Sequence, residues 1–181
     1  MTRPIFVALV ATSLFSAAAL AGGGFWQTPT IHGAGKIHPA PKAAYQPDPK
    51  GTYKAVFNLR HFGDKPTQVS SSLEHVARAV NLYVQAGVPL AHLKFVAIAS
   101  GPATPVVLDD AHYRKKYGVP NPNLPVIAQL RTAGVDVAVC SQALAEHDLE
   151  PKWVDSHVTV ALSGLTTVID LQQQGYAFVP Q

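Results

Sequence analysis

Cysteine is almost missing from this sequence: Cys140 is the only one in 181 residues. A lone thiol cannot form a disulfide within its own chain, so the fold must stand on its apolar core. It also excludes a Cys-x-x-Cys redox pair and a thiolate cluster for zinc. Three roles remain open for Cys140: an intermolecular link, a reactive group, or a small buried side chain. An excess of one charge is missing too. Lys+Arg 14 stand against Asp+Glu 11 with no basic stripe that could track a phosphate backbone, which argues against nucleic acid as a partner. No two of the eight histidines have the i, i+4 spacing that places two imidazoles on one helical face, so no metal is expected on them. There is no internal repeat. Ser100-Gly101-Pro102 is neither a nucleophile elbow nor a phosphate loop, and reads instead as a turn that shapes a site.

Long apolar runs are limited to one. Arg3 precedes the run from Ile5 to Leu20, and Ala19-Leu20-Ala21 offers a small-x-small cleavage pattern. This predicts a secretory signal peptide over residues 1–21, a mature start at Gly22, and a periplasmic or secreted protein. No second run approaches the roughly 20 residues of a spanning helix, so no membrane span is expected after cleavage. Roughly 160 residues then remain, enough for one domain with a sizeable core.

What the chain does have begins with proline and glycine. Between residues 22 and 51 lie Pro29, Pro39, Pro41, Pro47 and Pro49 with little periodicity, which predicts an extended arm. Phe25, Trp26, Ile31 and Tyr45 are its apolar exceptions. They leave two readings open, an arm lying against the domain or a neighbouring subunit, and a partly disordered linker.

A regular pattern follows over residues 52–181. Strands are expected at Tyr53–Leu59, Phe95–Ala99, Val135–Val139, His157–Ala161 and Tyr176–Val179. Helices are expected to start at Ser71, where Ser71 and Glu74 have capping-box spacing, and over Asp109–Tyr117, Asn123–Ala133, Ser141–His147 and Gly164–Gln174. Strands alternate with helices, and several strands are apolar throughout rather than at every second residue. The pattern predicts a three-layer α/β/α domain with a mainly parallel five-stranded sheet, flavodoxin-like in kind.

In such sheets ligands gather at the carboxyl edge of the strands. Cys140 falls at that edge, where amides of the following turn around Ser141, Gln142 and Ala143 favour an anionic sulfur. If the first strand were central, Arg60 and His61 at its carboxyl end would lie beside the loop that carries Cys140 and could stabilise a thiolate. Asp109, Asp110 and His112 suggest a metal site only superficially, because acids at a helix start are explained by the helix dipole.

The segment LRTAGVDVAVC (Leu130–Cys140), followed by a short helix, a strand and the ending LQQQGYAFVP (Leu171–Pro180), resembles the DsrE/DsrF-like family, which includes the TusD and YchN sulfur-relay proteins. The resemblance covers roughly Tyr53 to Gln181. It implies a flavodoxin-like fold, a homo-oligomer (trimer or hexamer), and Cys140 as a residue that accepts sulfane sulfur as a transient persulfide. It also implies sulfur donor and acceptor proteins or small sulfur compounds as partners. The other reading is a non-enzymatic oligomeric binding module in which Cys140 is structural.

Overall fold

The computed structural model describes residues 26–181. The expected signal peptide, the Gly22 start and Phe25 lie outside the described residues. Five strands, β1 (Tyr53–Leu59), β2 (Leu93–Ala99), β3 (Asp136–Cys140), β4 (Thr159–Ala161) and β5 (Ala177–Pro180), form one sheet in the order β4-β3-β2-β1-β5. Every pairing is parallel. The strand at the centre is therefore β2, and β1 and β3 lie on either side of it. Parallel strands covered on both faces lose their polar alternation, as seen in the buried runs Ala55–Phe57 and Ala97–Ala99. The edge strand β4 has only three residues and is largely exposed, a short edge that offers little template for pairing with another chain.

Helices α1 (Ser71–Gln85), α2 (Asp110–Tyr117), α3 (Leu124–Thr132) and α4 (Ser141–Glu146) belong to one face, and α5 (Gly164–Gln173) to the other. The main core joins Leu73, Val76 and Val80 of α1, Ile127 and Leu130 of α3, Tyr113 of α2 and Leu144 of α4 to Phe57, Phe95 and Val137 of the sheet. Each fully buried side chain of this kind contributes about 1.5–3 kcal/mol relative to exposure. The second cluster is small: Val56, Ile98 and Ala138 under Val168 and Leu171 of α5. A three-layer α/β/α sandwich results, thick on one side and thin on the other.

The segment before β1 closes the thick side. Gln27 and Ile37 exchange backbone hydrogen bonds at 2.9 Å, and Ile31, Ala34 and Ile37 are fully or almost fully buried. Asn81 of α1 holds this loop with all four of its amide valences. Its Oδ1 accepts from the Thr30 and Ile31 N–H groups, and its Nδ2 donates to the Ala34 and Gly35 carbonyls. Gly35 (φ +63°) comes so close to α1 that a Cβ would stand 2.2 Å from the Arg78 nitrogen, which only glycine permits. The expected capping box does not form. Ser71 is the first helical residue, Ser70 takes the cap position without capping, and the Glu74 carboxylate accepts from Gly35 N–H at 2.6 Å. Of the two readings of the arm, residues 27–37 follow the one in which it lies against the domain. No described helix is long and apolar enough to cross a membrane.

Candidate functional site

Beyond Lys54, Lys94 and Asp136 at their starts, the central strands carry polar groups only toward their carboxyl ends. The register pairs Leu59 with Ala99, Ala99 with Val139, and Cys140 with Ala161, so Asn58, Ser100 and Cys140 emerge along one carboxyl edge. The Ser100 hydroxyl donates to Asn58 Oδ1 at 2.9 Å. Cys140 is the last residue of β3 and the N-cap of α4, and its Sγ accepts from the Ala143 N–H at 3.4 Å. The residue is 6% exposed. A Cβ added to Gly164, the first residue of α5, would stand 3.4 Å from Ser100 Cβ and 3.7 Å from Cys140 Cβ. Small residues thus flank the cysteine on that side.

The side chains of Ser141 and Gln142 share one partner outside α4. The Ser141 hydroxyl donates to the Leu162 carbonyl at 2.7 Å, and Gln142 Nε2 donates to the same carbonyl at 3.3 Å. Their side chains fasten α4 to the loop that enters α5. The helix amide that reaches Cys140 is that of Ala143.

Arg60 and His61 follow β1, and β2 stands between them and β3. The condition of a central first strand is therefore not met. The two residues line a cavity of about 490 Å³ together with Phe62, Gly63, Asp64, Ser71 and Pro102, and Cys140 is not part of that lining. The loop is held from several sides. His61 N–H donates to Ser72 Oγ, Ser70 Oγ donates to the His61 carbonyl, and Ser70 N–H donates to Asn123 Oδ1 at 2.8 Å. Phe62 packs against Tyr113 and Tyr117 of α2. Between the cavity and α4 lies Gly101, whose carbonyl accepts from His147 Nε2 at 2.9 Å; the ring proton is therefore on Nε2.

The acids of α2 are committed to the helix itself. Asp109 caps it, accepting from the His112 N–H at 2.7 Å and pairing with the His112 ring, which stacks on Trp153. Burial works against ionisation of Asp109, but the hydrogen bonds from the His112 backbone and ring outweigh it and hold the carboxyl below its usual range. Asp110 is held low by its bond from Arg114 and by the Asn121 N–H. Among the described residues, no group of three or more His, Cys, Asp or Glu side chains could hold a metal ion. Tyr113, fully buried with its hydroxyl donating to the Pro66 carbonyl, is pushed up to about 12 by burial and then by Tyr117.

Asn58, Gly164 and His147, which the sequence does not single out, also stand at this edge beside Cys140 or the Gly101 turn. The available signal for Asn58 was an amide near the end of an otherwise apolar strand. For Gly164 it was a glycine directly after the Ser163 cap. His147 carried no signal, because its partner is a carbonyl 46 residues away.

The fold and this carboxyl edge define a parallel α/β protein with a single thiol at a strand end. The family pattern of DsrE/DsrF-like proteins matches residues 54–180, and the chain belongs to that family. Membership suggests sulfur relay as the general setting and sulfur-relay proteins as partners. A solved structure of MTH1491, a protein of unknown function from Methanobacterium thermoautotrophicum, aligns over 71% of this chain and 99% of that one, with a TM-score of 0.53 and 18% identity. At that identity the likeness shows the fold alone. No curated protein matches the sequence.

Proposed function

We propose that this protein carries sulfane sulfur on Cys140 as an exported, oligomeric member of its family. The observation that supports the reading most is the cysteine's place: the last residue of β3, at the carboxyl edge, with a helix amide on its sulfur. In the forward step the Cys140 thiolate attacks the sulfane sulfur of a donor R–S–S⁻. A new S–S bond forms, the old one breaks, and the donor leaves as R–S⁻. In the return step an acceptor thiolate attacks the outer sulfur and regenerates Cys140. Neither step needs a metal or an organic cofactor.

Incubation with polysulfide followed by intact-mass measurement should add one sulfur atom, about 32 Da, to the wild-type chain and nothing to Cys140→Ser. A chain that gains no sulfur from any polysulfide or persulfide donor refutes the assignment. Export is tested separately, by the N-terminal sequence of the protein recovered from its native compartment.

Burial of Cys140 favours a second reading, a non-enzymatic oligomeric module in which the sulfur only packs. That reading expects the thiol of the folded protein to resist alkylation and Cys140→Ala to retain ligand binding and assembly.

A further inference from the structure

The cavity at the end of β1 lies outside the chemistry assigned to Cys140. We propose that it is a binding site for a small tetrahedral oxyanion of the phosphate or sulfate class, held by Arg60, His61 and Ser71. Its volume of about 490 Å³ is in the range of small-molecule sites, and its walls combine polar groups with the apolar faces of Phe62 and Pro102. Arg60 is exposed and forms no ion pair among the described residues. Gly101 (φ +52°) leaves its guanidinium carbon room to lie 3.3 Å from where a Cβ would stand, so the fork rests along the Gly101 backbone at the cavity rim. A planar guanidinium at this rim matches an oxyanion with two parallel N–H···O bonds.

Groups that would otherwise neutralise this corner are engaged elsewhere. His61 uses its backbone N–H and carbonyl to hold the loop and also lines the cavity. The Ser70 hydroxyl bonds the His61 carbonyl instead of capping α1, and Glu74, the acid of the first turn, is bonded to Gly35. The helix amides beside Ser71 therefore have no side-chain acceptor. Asp64 is the one acid in the lining, and its charge opposes the ligand.

Titration of the full mature chain with sodium phosphate and with sodium sulfate, against sodium chloride at matched ionic strength, tests the site through the amide resonances of Gly63, Ser71 and Gly101. Saturable shifts are expected. Arg60→Met should weaken binding by about tenfold or more. Gly101→Val should weaken it as well by displacing the guanidinium, Asp64→Asn should tighten it, and Cys140→Ser should leave it unchanged. Preference for either anion supports the site and tells which head group it takes. Shifts that never saturate, or that survive Arg60→Met in a variant with the wild-type circular dichroism spectrum, overturn the proposal. Because sulfur loading is read on Cys140 and anion binding on Arg60, failure of one leaves the other standing.

Discussion

Gly164 touches two strand ends at once, so a side chain added there meets Ser100 and Cys140 before anything else. Gly164→Val should therefore cover the approach to the sulfur and slow alkylation of the folded protein by about tenfold or more. Iodoacetamide rates on wild type and variant check this, and equal rates would mean that reagents reach Cys140 from another side. At this scale the sequence was informative about residue type and weak on direction. Cys140 at the end of an apolar run was legible because a parallel strand ends at the carboxyl edge whatever its neighbours are. The side chains of Ser141 and Gln142 were not, because the Leu162 carbonyl that draws them lies about 20 residues further along the chain. Arg60 and His61 stood out together at a strand end, but their distance from the sulfur depends on strand order, which no local pattern encodes.

Among the elements, α2 carries the clearest dependence on pH. Tyr113 has its folded pKa raised to about 12, against an unfolded value near 10. Its contribution to stability is therefore fully present below about pH 10 and is lost as the pH rises toward 12. Asp109 and Asp110 are depressed, so their contributions are present above about pH 4 and are lost as the pH falls through their folded values. Urea midpoints measured across the pH range should fall at both ends. Tyr113→Phe should flatten the alkaline fall, and Asp109→Asn the acid one. The helices themselves were legible from caps and apolar spacing to within a residue or two. What local reasoning could not see was competition for the caps. Ser71 and Glu74 have the spacing of a reciprocal cap, but the arm offers Glu74 a buried amide at Gly35, and that tertiary partner wins. The arm's own packing was hidden for a similar reason. Ile31 and Ile37 have no helical or strand period, and the residue that receives the arm, Asn81, is a lone amide on the apolar face of α1.

Taken whole, the molecule is lopsided. The face covered by α5 alone leaves Leu162, Leu165, Ile169 and Phe178 substantially exposed, a concentration of apolar surface on α5, the loop that enters it and β5 that favours association. If copies of the chain assemble through this face, sedimentation should give a trimer or larger, and Leu165→Asp should shift it toward monomer with the wild-type circular dichroism spectrum. A wild-type chain that sediments as a monomer at all concentrations would sink the assembly. The fold class was legible because alternating apolar strands and amphipathic helices admit few layered solutions. The order of the strands, and with it the separation of the β1 cavity from Cys140, was not.

The docking of residues 27–37 onto α1 sets these residues apart from the stretch that follows. Lys42 and Lys50 are exposed in the link between the docked loop and β1, while the loop itself is seated by side chains of α1 and α3. A single tryptic nick in that link would separate two pieces in covalent terms but not in space. The protein is thus arranged as a natural split pair, with a short peptide serving as the detachable half and a socket on α1 ready to receive it back.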